Sequence, residues 1–234
     1  MKINFDKVIH KIKNTKLSKD PFLHLNIVNL FSEDEYEEIL RNLPLDKDWE
    51  GVTENNTRRR SWQNQVYSFN HNKINFTKSI SDFFESDIFI DTLEKKFNKN
   101  FTKYKSDAQV KTVWCRDYDG ASITPHRDQD NKLLSFLFYL PKDNNNPQNG
   151  TQLLEPVNQN VFERGDNHLQ WYDFKKITDI TFIRNKFICW TVDENSFHSV
   201  DIRFKRGEQN AYRDTIRGFY FSDGKLPKLF QRWD

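Results

Sequence analysis

Downstream of about Asp107 the sequence breaks into short apolar runs separated by turn residues, with no helical period long enough to link them. The runs are 110–115, 123–128, 133–140, 151–154, 180–183, 187–192, 198–202 and 213–222. Many short strands without helices between them build a two-sheet barrel, so this region is expected to be mainly β, of the jelly-roll kind. Asp143-Asn-Asn-Asn-Pro-Gln-Asn-Gly150 reads as a turn cluster, and the charged connection from Arg203 to Tyr212 is placed to flank a barrel mouth.

The N-terminal part has a different texture. Phe5, Val8, Ile9 and Ile12 fall at helical spacing with lysines between them, which predicts a short amphipathic helix on the outside of the domain. From Pro21 the run Phe-Leu-His-Leu-Asn-Ile-Val alternates as a strand. Ser32 followed by Glu35 is a capping box that starts a helix running to about Asn42, with Tyr36, Ile39, Leu40 and Leu43 inward. Residues 45–75 are polar and irregular, and Ile80, Phe83, Phe84, Ile90, Leu93 and Phe97 then recur at helical intervals, as one or two helices backing a sheet.

A chain of 234 residues suits a single domain, here divided into a helical support over 1–107, a β core over 108–222 and a tail over 223–234. The hydrophobic share is only 36%, but 21 Phe, 8 Tyr and 6 Trp make an aromatic core the natural solution. A net charge of +2 is too balanced for a protein whose main task is gripping a nucleic acid backbone. Cys115 and Cys189 sit in strand-like runs and read as buried free thiols, which favours a reducing, cytoplasmic setting. No segment approaches a membrane span or a cleavable leader.

Within the β region, His126 and Asp128 lie two apart in an extended run, so they share a face while Arg127 points away. About one such pair is expected by chance in a chain with 6 His and 34 acidic residues, so the pair alone decides little. His198 opens a later strand. Two imidazoles and one carboxylate on one side of a metal leave its other face open, an arrangement suited to non-haem Fe(II). In the last strand Arg213, Thr215, Arg217 and Phe219 share one face and Ile216 and Tyr220 the other, so two guanidinium groups are expected inside the barrel. A buried arginine needs an anion, and a bidentate carboxylate is the natural one. Tyr139 shares its face with Ser135, which makes that side of its strand the polar, inward one.

These residues together resemble the Fe(II)/2-oxoglutarate-dependent dioxygenases, in particular the prolyl-hydroxylase-like branch. The resemblance rests on Pro-His126-Arg-Asp128, Leu-Phe-Tyr139-Leu-Pro, the Asn-Gly150-Thr turn, Ser-Phe-His198-Ser-Val and Arg213-Asp-Thr-Ile-Arg-Gly-Phe-Tyr-Phe221, in the family's order. It implies a double-stranded β-helix, cupin-like core with flanking N-terminal α-helices. It implies His126, Asp128 and His198 as iron ligands, Arg213 with the Tyr139 hydroxyl at the far carboxylate of 2-oxoglutarate, and Thr215 among the residues that bind this co-substrate. Arg217 would reach the near carboxylate or the substrate. Arg213 follows His198 by 15 positions, longer than is usual in the family, which leaves the choice between Arg213 and Arg217 open. The activity implied is O2-dependent hydroxylation of a C–H bond of a small molecule or protein side chain, with succinate and CO2 as co-products. Asp128 in the carboxylate position points to hydroxylation over halogenation, because the family's halogenases lack that ligand.

Two further readings compete. A jelly-roll ligand-binding module with structural histidines would bind no iron. An oxygenase acting on nucleic acid would use Arg58, Arg60 and the neighbouring Trp62, since guanidinium forks match phosphates and aromatic rings stack on bases. The same three residues are candidate contacts for any anionic substrate. The remaining histidines, His10, His24, His71 and His168, have no comparable surroundings. Substrate identity and oligomeric state are not written in motifs of this kind.

Overall fold

The computed structural model describes residues 3–51, 66–99, 108–157, 169–208 and 211–223. Helix α1 (Phe5–Asn14) begins where the Asn4 side chain accepts from the Lys7 N–H, and it buries Val8, Ile9 and Ile12. Strand β1 (His24–Val28) leads to α2 (Glu33–Arg41), at whose start the Ser32 N–H donates to Glu35 Oε2 at 2.9 Å. After β2 (Glu50–Gly51) and β3 (Val66–Phe69) come α3 (Asn75–Phe84) and α4 (Asp87–Phe97). The remaining elements are strands: β4 (Gln109–Tyr118), β5 (Ser122–His126), β6 (Lys132–Tyr139), β7 (Thr151–Pro156), β8 (Phe174–Ile180), β9 (Lys186–Thr191), β10 (His198–Asp201) and β11 (Tyr212–Phe221).

They form two antiparallel sheets. The major sheet has the order β1-β9-β6-β11-β4-β3-β2, and the minor sheet β5-β10-β7-β8. Period-two alternation divides each central strand between two environments. One face of the major sheet carries Phe136, Phe138, Phe187, Cys189, Ile216 and Tyr220, packed with Val8, Ile12, Phe84, Phe89 and Leu93 of the helices. Phe84 touches the rings of Phe136, Phe138 and Phe187, and each such buried ring contributes roughly 1.5–3 kcal/mol. The helices therefore cover the outside of the barrel. The other face holds Tyr139, Ile188 and Trp190 against Leu153 and Ile180 of the minor sheet, which is the barrel interior.

Two devices close the barrel. Asn185, at a left-handed φ of 55°, turns the chain into β9 and clamps residue 31: Phe31 N–H donates to its Oδ1 at 3.0 Å and its Nδ2 donates to Phe31 O at 2.9 Å. At Gly150 a Cβ would lie 1.7 Å from the Ile180 carbonyl oxygen, so the turn before β7 admits glycine alone.

One expected strand is misplaced. Of the run 180–183 only Ile180 is in a strand, as the last residue of β8, which pairs with β7, and the chain turns at 184–185 before β9. Lys175, Lys176 and Asp179 face solvent along β8, an edge strand, and charge on an exposed edge hides the apolar alternation. The amphipathic N-terminal helix is present, with its apolar face in the core rather than free for a membrane surface. Both cysteines are buried free thiols, and burial pushes Cys115 up to about 11. Among the described residues no helix is long and apolar enough to cross a membrane.

Candidate metal centre

β5 ends at His126 and β10 begins at His198, and antiparallel pairing makes the two direct partners. Residues opposite each other on such a ladder project to one side, and here the ring centroids lie 4.3 Å apart. Asp128 lies two residues past the end of β5, and its Oδ2 is 3.7 Å from His198 Nε2. Donor atoms of the three side chains all fall within 4.8 Å of one another.

Each donor is oriented from behind. His126 Nδ1 lies 2.8 Å from Thr124 O and His198 Nδ1 3.1 Å from Ser196 O. A carbonyl only accepts, so the hydrogen-bond network assigns the ring proton to Nδ1 and leaves the Nε2 lone pair for a metal. Ser135 Oγ donates to Asp128 Oδ2 at 2.7 Å, and Lys132 Nζ donates to Oδ1 at 2.6 Å. Burial alone would raise the Asp128 pKa, but the charge of Lys132 and the two imidazoles outweigh it and hold the carboxyl well below its ordinary range. Burial pushes His198 the other way, below the usual imidazole value and toward its neutral, ligating form. Two nitrogen donors and one carboxylate converging on one point fit Fe(II). Trp190 packs its ring 4.7 Å from that of His198 and walls the site.

Along β11 the interior face carries Phe219, Arg217, Thr215 and Arg213, opposite Ser135, Leu137 and Tyr139 of β6 for the first three. Arg213 is 2% exposed and Thr215 fully buried. Both arginines meet Asp117 of β4, the direct partner of Arg213: Arg213 Nη1 donates to Asp117 Oδ2 at 2.8 Å, and Arg217 Nη2 donates to both Asp117 oxygens. Arg217 Nε also donates to Thr215 Oγ1 at 3.2 Å, whereas Arg213 Nε is buried with no acceptor among the described residues. The Tyr139 hydroxyl donates to Thr151 Oγ1 at 2.7 Å, with the Arg213 guanidinium 5.1 Å from the Tyr139 ring.

The structure thus brings together His126, Asp128 and His198, and lines the interior with Tyr139, Arg213, Thr215 and Arg217. Arg58, Arg60 and Trp62 lie outside the described residues, as does His168. His24 is buried with Nδ1 2.9 Å from Phe22 O, a satisfied core histidine. Sequence reasoning missed Asp117, Lys132 and Lys186. Lys186 pairs with Tyr139 across β9 and β6, is 5% exposed, and donates to Thr181 Oγ1 at 2.8 Å, burial pushing its pKa down. Asp117 had one signal: a strand with a carboxylate on its buried face must pair with a cation.

No protein-family model matches the sequence, and no curated protein matches it. Solved structures do. A Pseudomonas putida prolyl-4-hydroxylase superposes with a TM-score of 0.52 at 12% identity, over 92% of this chain and 96% of that one. A 2OG-Fe(II) oxygenase family oxidoreductase from Burkholderia pseudomallei gives 0.52 at 11% identity, over 97% and 95%. SnoN, a non-heme alpha-ketoglutarate-dependent epimerase from nogalamycin biosynthesis, gives 0.52 at 8% identity, over 96% and 87%. At these identities the likeness establishes the fold, the double-stranded β-helix.

Proposed function

We propose that this protein is an Fe(II)- and 2-oxoglutarate-dependent dioxygenase that hydroxylates a C–H bond of a small molecule or a protein side chain in the cytoplasm. The observation that carries the reading is the convergence of His126, Asp128 and His198 donors within 4.8 Å at one place in the barrel, with buried guanidinium groups on the same interior. Iron bound there with a keto-diacid and O2 would supply the oxidant, with succinate and CO2 as co-products. The chain's own residues hold and orient. Thr124 and Ser196 carbonyls fix the imidazole tautomers, Ser135 and Lys132 fix the carboxylate, and Arg213, Tyr139 and Thr215 line the place for the distal carboxylate. Trp190 packs against the His198 ring and holds it in place. Arg58, Arg60 and Trp62 are the proposed substrate contacts.

Hydroxylation is favoured by the prolyl-4-hydroxylase likeness together with the intact carboxylate donor at Asp128. The similar epimerase shows that the same fold serves other outcomes. The test is an anaerobic titration with Fe(II) and then 2-oxoglutarate. A weak visible charge-transfer band is expected in the wild type and not in His198→Ala or Asp128→Ala, which stay folded and release no succinate. Wild-type succinate release by those variants would overturn the reading.

A further inference from the structure

The interior of the barrel carries more positive than negative charge at the arginine end, and one carboxylate there is already in use. Asp117, 2% exposed, faces Arg213, itself 2% exposed, and Arg217, whose side chain is 12% exposed. Its hold on the two is unequal. Arg217 engages both Asp117 oxygens and is further tied to Thr215, while Arg213 gives Asp117 one bond and keeps a buried Nε with no acceptor among the described residues. Buried guanidinium groups are normally saturated, so the unmet donor marks where an acceptor is missing.

We propose that Asp117 is the specificity-setting residue of this pocket, a resident counter-anion held on Arg217 that competes with the co-substrate's distal carboxylate for Arg213. The assignment rests on the 2-oxoglutarate reading given above and deepens it. Arg213 is then the anion seat and Arg217 the tether that keeps Asp117 from filling it. A like charge beside the seat weakens every carboxylate, and only a ligand with a second attachment, such as a keto-acid chelating the metal, binds well against it.

The experiment is calorimetric titration of the protein loaded with Mn(II), using 2-oxoglutarate and, separately, the monocarboxylate 2-oxobutyrate. Asp117→Asn keeps the shape and one acceptor oxygen but removes the charge. It is expected to bind 2-oxoglutarate on the order of tenfold more tightly, the size of one screened like-charge contact. Arg217→Lys loosens the tether, sends Asp117 toward Arg213 and weakens 2-oxoglutarate severalfold, and this variant carries the test should Asp117→Asn not fold. Affinity for 2-oxobutyrate, which has no distal carboxylate, is expected to stay unchanged in Asp117→Asn. Unchanged or weaker 2-oxoglutarate binding in Asp117→Asn, or wild-type binding in Arg217→Lys, overturns the proposal while leaving the dioxygenase reading intact. Failure of the wild type to bind 2-oxoglutarate at all overturns both.

Discussion

Replacing Lys132 by Met should destabilise the metal-free protein far more than the metal-bound one. Lys132 Nζ lies 2.6 Å from Asp128 Oδ1, with side chains 13% and 6% exposed, and its ammonium rests 3.8 Å from the centroid of the Phe219 ring. Met keeps most of the stem over that ring and deletes the charge. Removing one partner of a buried ion pair costs roughly 3–5 kcal/mol because the other is left uncompensated. Water reaches the lysine end, so the lower figure applies, a fall in Tm of about 6–12 °C for a chain of this size. A divalent ion on His126, Asp128 and His198 supplies the missing positive charge. It also escapes the repulsion that Lys132 imposes on it in the wild type. Metal should therefore bind the variant more tightly and shrink its deficit to less than about 1 kcal/mol, a linkage readable by melting in EDTA and again in excess Mn(II). A metal-free variant melting within about 2 °C of the wild type, or an equal deficit with and without Mn(II), would refute the argument.

Ser135→Ala acts with the opposite sign on the metal. It removes the donor that orients Asp128 Oδ2 and should weaken Mn(II) or Fe(II) binding about 10–100-fold in competition with a chelator, with little loss of fold. Asn185→Ala loses both bonds to Phe31 and leaves buried backbone groups unpaired, along with a left-handed position that alanine resists. It should cost about 2–4 kcal/mol in urea unfolding, and a loss below about 1 kcal/mol would show that the clamp is incidental.

Much of this was legible because period two is a strong signal wherever one face meets aromatics and the other the barrel. Along β6, Ser135 and Tyr139 declared the inward side and Phe136 and Phe138 the outward one, and the structure keeps that division. β11 told the same story through Arg213 and Arg217 against Ile216 and Tyr220. Edge strand β8 stayed hidden because its lysines and Asp179 are set by solvent, not by packing. Asp117 stayed hidden for another reason. It follows Arg116, which turns to the opposite face and pairs with Asp214, and two adjacent charges of opposite sign do not say which of them faces inward. Only the register of β4 against β11 separates them, and register is a property of two strands.

The histidine rung between β5 and β10 also bears on how such a centre can vary. Because His126 and His198 occupy one step of a hydrogen-bonded ladder, their separation is inherited from the spacing of neighbouring strands. The stretch between them supplies Asp128 and the β7 strand that flanks β10, while its connecting loops leave that separation alone. Insertions or trimmed connections in the loops beyond β6 can remodel the rim while the donor geometry stays put, so long as β5, β10 and β7 remain zipped and Asp128 keeps its partners. A centre wired this way lets its surrounding loops change without moving its donors.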